Sequence, residues 1–474
     1  EPTWILIHFY RFLKYWRIRD MKCEFLHKEG SSRLILIFSG WSTDMEFYSH
    51  ISHPGWDVAV VSGYTDFDFP TEILDSYTTI SLFAWSMGVY MASMSVPFNR
   101  LSMAIAINGT ESPVDNSTGI PENIFKGTLE TLDERNLRKF RMRMSGSHYK
   151  NLEGCFNTPD IDKLKSELEF ILKSRASAPR GNNSKWNRVY ISRNDLIFPF
   201  QNQKQAWKSH NSSESIIEID APHYVDLLPL IKSALPSSEK IGKRFSKALA
   251  TYNQQADAQR TIAHRLAEMC EGTSLRRVIE IGPGSGIFTH AFASRHNPES
   301  IDFVDLYRLP VFGVAQSEHY HIANAEDWMA HKAEQSQGQY DAIVSASALQ
   351  WFVNPKEFFH NSLLLLKPGG ILACSTFLPG NLEEISSANP YGIIYRSKDE
   401  IEEMLSSFFD SFSLEEESIT LEFESPRDTL LHLKHTGVGG SSSSGLSLKE
   451  LLGRLPSRLT YRPLYIIARK QLSR

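Results

Sequence analysis

The chain has 474 residues, 41% hydrophobic, 11% aromatic and 22% charged, a composition that excludes disorder, collagen and coiled coil and supplies cores for two or three domains. Lys and Arg total 50 against 55 Asp and Glu, so the formal charge of -5 gives no overall cationic field for nucleic acid or an anionic membrane. Four cysteines (Cys23, Cys155, Cys270, Cys374) lie far apart without a C-x-x-C pair, which predicts free thiols in a reducing cytoplasm and no structural metal.

Residues 1–20 are aromatic and basic. Their apolar stretch from Trp4 to Tyr10 is broken by His8 and followed by Arg11, Lys14, Arg17 and Arg19, too short to span a bilayer and without a small-residue cleavage site. They are expected to be an extension ahead of a start at Met21. Residues 21–235 then read as a βα-rich segment, with buried strands over 33–39, 58–62, 80–85 and 103–108 and helical patterns between them, the grammar of a parallel sheet. A polar stretch at 236–240 has linker character. Residues 241–474 repeat the grammar, with strands over 277–282, 301–306, 340–346 and 370–378. A Gly/Ser run at 437–446 is expected to be a flexible loop. The expected fold class is α/β in two domains.

The strand over 80–85 runs into Ala84-Trp85-Ser86-Met87-Gly88 and then a helical segment. Small residues two before and two after a serine suit a sharp strand-to-helix turn that exposes the hydroxyl above a sheet; without that context the serine is an ordinary N-cap. A base and an orienting acid are expected later in the chain, acid first. Asp195 ends a strand beginning near Val189, and His223 follows a strand beginning at Ile216, so Ser86, Asp195 and His223 are the expected triad. Asp220 is a competing acid but lies too near His223 in sequence. Met87 is expected to supply one oxyanion amide and Trp41, in Ser39-Gly40-Trp41-Ser42, the other, with the Trp41 indole and Phe140 walling the acyl channel. Arg135, Arg138, Lys139, Arg141 and Arg143 recur at three- and four-residue spacing, either a solvated helix face or a docking surface for an acidic carrier.

In the second half a strand delivers Glu280 into Ile281-Gly282-Pro283-Gly284-Ser285-Gly286. A dinucleotide site wants G-x-G-x-x-G, and here the third glycine comes one residue early. The compact form with an acid before it suits a sulfonium nucleoside such as S-adenosylmethionine, which brings no phosphate. Asp305, ending the next strand, is placed to accept ribose hydroxyls. Asn324, Ala325 and Glu326 are expected beside adenine, and Ser345 with Ala346 is expected to close the pocket.

With these residues in hand, residues 241–472 resemble the malonyl-acyl-carrier-protein O-methyltransferase of biotin synthesis, BioC. The resemblance is carried by RFSKALATYNQQADAQR (244–260), EIGPGSG (280–286), DAIVSASALQWF (341–352), LKPGGIL (366–372), LKHTGV (433–438) and LTYRPLYIIARK (459–470). Residues 21–235 resemble the BioG type of pimeloyl-acyl-carrier-protein methyl ester esterase, through FSGW (38–41), WSMG (85–88) and the late histidine, with Ala84 and Pro222 where many hydrolases have glycine. The resemblance implies an α/β-hydrolase followed by a Rossmann-like class I methyltransferase, S-adenosylmethionine as methyl donor without a metal, and an acyl carrier protein as partner. Tyr252 is expected either to close over donor and substrate or to pack its helix on the sheet. Alternatives are a fusion acting on small esters and acids, and an inactive hydrolase-like module that docks the carrier.

Overall fold

A computed structural model describes residues 21–175, 184–208, 215–270, 275–386, 392–436 and 456–472. The expected extension at 1–20 and the Gly/Ser run at 437–446 lie outside the described residues. The chain divides into two compact units between Leu227 and Leu228. The expected linker at 236–240 is shorter than the sequence suggested, because the helix Ser238–Gln255 takes in Glu239 and Lys240, and Glu239 pairs with Lys243 one turn on.

In the first unit seven strands form one sheet: β1 (Lys22–His27), β2 (Arg33–Phe38), β3 (Asp57–Ser62), β4 (Thr79–Trp85), β5 (Met103–Ile107), β6 (Arg188–Ser192) and β7 (Ile216–Ile219). Their order is β1-β3-β2-β4-β5-β6-β7, with β1 antiparallel to β3 and every other pairing parallel. β3, β4 and β5 are buried along their whole length. Covered on both faces, they therefore read as continuous Val, Ile, Leu and Ala runs rather than alternating ones.

In the second unit β8 (Arg277–Ile281), β9 (Ser300–Asp305), β10 (Ser317–Ile322), β11 (Tyr340–Ser345), β12 (Leu366–Phe377), β13 (Ser411–Glu416) and a late strand form the second seven-stranded sheet. Between them in sequence lie β14 (Ile419–Glu422) and β15 (Arg458–Tyr461), a separate antiparallel pair, and the late strand is β16 (Pro463–Arg469). The sheet order is β10-β9-β8-β11-β12-β16-β13, parallel from β10 through β12, with β16 inserted antiparallel to both β12 and β13. Successive strand residues face opposite cores: Val278, Phe303, Val344 and Ala373 on one face, and Ile279, Val304, Ile343 and Leu372 on the other. This two-domain α/β architecture is the one the sequence implied. Among the described residues no helix is long and apolar enough to cross a membrane, and no group of three or more His, Cys, Asp or Glu could hold a metal ion.

Candidate active sites

β4 ends at Trp85, and Ser86 adopts φ 59° and ψ -125°, a strained backbone for a residue with a side chain, before the helix Met87–Ser95 begins. Gly88 allows this. A Cβ there would lie 2.3 Å from the Phe38 carbonyl oxygen and 2.6 Å from that of Ser39, so the helix starts hard against the end of β2. Gly109 is equally constrained, since its Cβ would fall 2.2 Å from the Ser86 carbonyl oxygen. Ala84 stands in register with Phe38 of β2 and Ala106 of β5, and the turn forms with its methyl in place of the more usual hydrogen.

Ser86, His223 and Asp195 come together from three strand ends, all buried. His223 Nε2 lies 2.9 Å from Ser86 Oγ and Nδ1 lies 2.8 Å from Asp195 Oδ2. Asp195 Oδ1 accepts the backbone N–H of Ile197 at 2.8 Å and of Phe198 at 2.9 Å, while Oδ2 also accepts Gln203 Nε2 at 3.0 Å. With its oxygens acting as acceptors, the carboxylate accepts the hydrogen bond of Nδ1–H and keeps the proton on that nitrogen, which leaves Nε2 as acceptor for the serine hydroxyl. The Phe198 ring stacks on the imidazole at 5.9 Å and 8°. Asp220 lies elsewhere, exposed and held by Asn194 Nδ2 at 2.5 Å.

Two residues that no motif indicated hold the histidine loop. Asn108 Nδ2 donates to the His223 carbonyl at 2.7 Å, and Trp85 Nε1 donates to the same oxygen at 3.0 Å. The only sequence signal for Asn108 is an asparagine ending an apolar strand ahead of glycine, and its φ of 45° fits that position. Met87 is the first helical residue, so its N–H has no partner within the helix. A Cβ on Gly40 would lie 3.3 Å from Ser86 Cβ, which brings the loop bearing Trp41 beside the nucleophile. The Trp41 indole is tied to the Leu164 carbonyl at 3.0 Å, and its ring meets Phe140 at 4.8 Å.

Phe140 belongs to the helix Glu134–Ser145, whose outer face exposes Arg135, Arg138, Lys139 and Arg143. Arg138 pairs with Glu153 at 3.0 Å. Arg141 departs from the expected surface: it is half-buried, its guanidinium lies 4.4 Å over the Phe156 ring, and Nη2 donates to the Ser42 carbonyl at 3.3 Å. It follows the buried Phe140 around the helix and so braces the loop beside the nucleophile. An open hollow of about 650 Å³ runs along this helix, with Ile124, Leu132, Phe140 and Met142 as apolar walls and Lys139 and Arg143 among its charged ones.

In the second unit the bend after β8 carries three glycines at positive φ: Gly282 at 66°, Gly284 at 56° and Gly286 at 84°. Only Gly284 faces space. Its Cβ would meet Tyr307 Oη at 3.8 Å, whereas a Cβ at Gly282 would come within 2.8 Å of Ala348 and one at Gly286 within 2.5 Å of the Phe312 ring. Glu280 is buried and accepts Thr289 Oγ1 at 2.8 Å, and burial, with Asp305 nearby, lifts its carboxyl to about 8. Asp305 accepts the N–H of Gly284 at 3.2 Å and of Leu306 at 2.7 Å, and burial raises it to about 6. Tyr252 sits within electrostatic reach of Tyr307, whose hydroxyl overhangs Gly284.

Of the other residues expected there, Ser345, Asn324 and Glu326 make contacts within the frame. Ser345 Oγ donates to the Ile281 carbonyl at 3.0 Å, joining β11 to β8. Asn324 caps the helix Ala325–Gln335, and the Glu326 carboxylate accepts the N–H groups of Val353 at 3.3 Å and Asn354 at 2.7 Å, clamping the loop after β11. An open glycine backbone beside two buried acids, with no phosphate-binding cation among the residues on the bend, fits a cationic nucleoside.

Comparison with known families matches residues 21–229 to the pimeloyl-ACP methyl esterase BioG model and residues 252–417 to a methyltransferase domain model. A malonyl-[acyl-carrier protein] O-methyltransferase of Bacteroides fragilis is 34% identical over 95% of this chain and 94% of its own length. A protein of the same description from Bacteroides thetaiotaomicron is 34% identical over 49% of this chain and 97% of its own. The crystal structure of BioG from Haemophilus influenzae is 34% identical, covering 43% of this chain and 94% of that one with a TM-score of 0.40.

Proposed function

The chain belongs to the malonyl-[acyl-carrier protein] O-methyltransferase family, in the form that carries a BioG-type domain ahead of the methyltransferase, and from this premise we propose that it acts twice on carrier-bound acyl chains in biotin synthesis. The second unit methylates the free carboxylate of malonyl-acyl-carrier-protein. The first hydrolyses the methyl ester of pimeloyl-acyl-carrier-protein methyl ester. The pairing has a physical logic: an ionised carboxylate entering an apolar fatty-acid tunnel loses its water at a cost of several kcal/mol, so capping it lets elongation proceed and uncapping frees the acid afterwards.

S-adenosylmethionine, when bound, supplies a methyl group on a cationic sulfur. Glu280, the Gly284 backbone and Asp305 are the residues that would hold it, with Tyr252 and Tyr307 over the bend. The attacking carboxylate is already ionised and requires no strong base. Orientation is then the main contribution the unit makes, roughly 7 to 11 kcal/mol when reacting atoms are held in line.

For hydrolysis Ser86 Oγ attacks the ester carbonyl carbon as His223 Nε2 takes its proton, and the amides of Met87 and Trp41 receive the charge on the carbonyl oxygen. His223 returns the proton to the departing methanol, and water then cleaves the acyl-serine by the same route. The exposed cations Arg135, Arg138, Lys139 and Arg143 meet the acidic carrier. The observation that carries the reading is the hydrogen-bonded Ser86, His223 and Asp195 on one unit, joined in one chain to an open glycine bend with two buried acids. The protein is incubated with malonyl carrier and labelled S-adenosylmethionine, and separately with methyl pimeloyl carrier. Methyl gain in the first and methanol release in the second are expected; absence of methyl gain overturns the methyltransferase assignment, and absence of methanol the esterase one.

A further inference from the structure

The helix Ser238–Gln255 lies along the ligand edge of the second sheet. A Cβ on Gly242 would sit 3.2 Å from Leu306, next to Asp305, and Ser238 Oγ accepts Asn324 Nδ2 at 2.9 Å beyond β10. Phe245 meets the Trp351 ring edge-on at 5.8 Å. Trp351 closes the short turn Leu349–Trp351, which begins next to Ala348, the residue against Gly282. The helix thus spans the C-terminal ends of β8, β9, β10 and β11, the side on which an open parallel sheet takes its ligand.

Arg244 is on this helix. Its guanidinium stacks 5.0 Å over Trp351 and 5.4 Å from Phe245. Nε and Nη2 are buried and have no hydrogen-bond partner, and among the described residues no carboxylate forms an ion pair with it. These two atoms make up one edge of the guanidinium, the fork that grips both oxygens of a carboxylate side by side. Leaving such a fork desolvated and empty is unfavourable, so its retention calls for an anion that arrives from outside. The planar cation against an indole is also pre-oriented, which reduces the entropy lost on gripping a ligand.

We propose that Arg244 is the cation that receives the substrate's free carboxylate, holding both oxygens so that one faces the methyl donor over Gly284. Arg244 therefore sets the preference for an ω-carboxyl thioester over a neutral acyl thioester. The proposal rests on the reading of this unit as a methyltransferase of a malonyl thioester.

The test uses the full chain with Arg244→Met and Arg244→Lys, measuring KM for malonyl carrier, KM for S-adenosylmethionine, and competitive inhibition by uncharged acetyl carrier. The expected result is a KM for malonyl carrier raised on the order of 100-fold in Arg244→Met, as for loss of one partner of a buried charge pair. Arg244→Lys, which keeps charge without the fork, is expected to fall between. The KM for S-adenosylmethionine should move less than about twofold, and the wild-type preference for malonyl over acetyl carrier should collapse in Arg244→Met; a structural role would not change that ratio. If the wild type methylates malonyl carrier and both variants keep its KM and the malonyl/acetyl ratio, the role of Arg244 is overturned while the reading stands. If the wild type transfers no methyl to malonyl carrier, both fall together. Because Arg244→Lys conserves size and charge, a folding failure of Arg244→Met alone still leaves the ratio measurable.

Discussion

Asn108 and His223 are joined through the backbone rather than the imidazole: Asn108 Nδ2 holds the His223 carbonyl at 2.7 Å while Asn108 Oδ1 takes the Ser192 N–H at 2.7 Å. One side chain thereby ties the end of β5 to the end of β6 and to the loop that aims the base. Asn108→Ala is expected to lower kcat for ester hydrolysis about 10- to 100-fold through misplacement of the imidazole, with little change in KM. Steady-state hydrolysis of methyl pimeloyl carrier, beside a thermal melt to confirm folding, checks it.

Ser86→Ala should remove ester hydrolysis by up to roughly a millionfold. Methyl transfer to malonyl carrier should remain within about twofold, since the two pockets belong to separate units. Parallel assays on the same preparation decide this. A concurrent loss of methyl transfer would contradict the division of labour.

Gly88 faces two backbone oxygens, which cannot swing aside as a side chain would. Gly88→Ala is expected to destabilise the first unit by about 3 kcal/mol and to take ester hydrolysis with it. Urea denaturation followed by residual esterase activity would register the shift, and wild-type resistance would show that β2 can yield.

Glu280 provides a pH test with a definite sign. Burial raises its carboxyl from 4.5 to about 8, so the folded unit binds a proton that the unfolded chain releases over that interval. The stability this contributes is fully present below pH 4.5 and is lost as pH climbs through 8. Without donor, Glu280→Gln should therefore melt progressively higher than wild type between pH 6 and 8.5. Added S-adenosylmethionine, whose cation favours the ionised acid, should stabilise the wild type more than the variant at the upper pH. Melting curves across this range, with and without donor, settle it.

The exposed Arg135 and Arg138 and the inward Arg141 should behave differently. Charge reversal at Arg135 and Arg138 is expected to raise KM for carrier-bound ester several-fold, with a salt dependence, while hydrolysis of a small methyl ester is unchanged. Arg141→Ala should slow both substrates, because it loosens the Ser42 loop. Equal effects on both substrates from the exposed pair would favour the small-molecule alternative.

The sequence disclosed what burial on two faces writes into it. β2 to β5, β8, β9, β11 and β12 are apolar runs and were readable as strands, whereas β10, SEHYHI, lies at a sheet edge with few apolar residues and left no such trace. β1 is likewise an edge strand. Ser86, Asp195 and His223 each follow a strand, so order and position were enough to single out three side chains that the structure joins by hydrogen bonds. Asn108 and Arg244 make their contacts with residues distant in sequence, and Gln203 reaches back only eight residues to Asp195, but none of the three belongs to a recognisable local pattern. Arg141 illustrates a different limit: spacing gave it a helix face but could not say that the Phe156 ring and the Ser42 carbonyl lie beneath it.

The placement of β16 sets the timetable of biosynthesis. The first sheet has all its strands once residue 219 has left the ribosome, but the second lacks an interior strand until residue 469 emerges. During that interval the nascent chain presents β12 and β13 with unmatched edges, a surface prone to mispairing and suited to chaperone cover. The first unit can mature early, while the second has to wait for β16 before its sheet is whole.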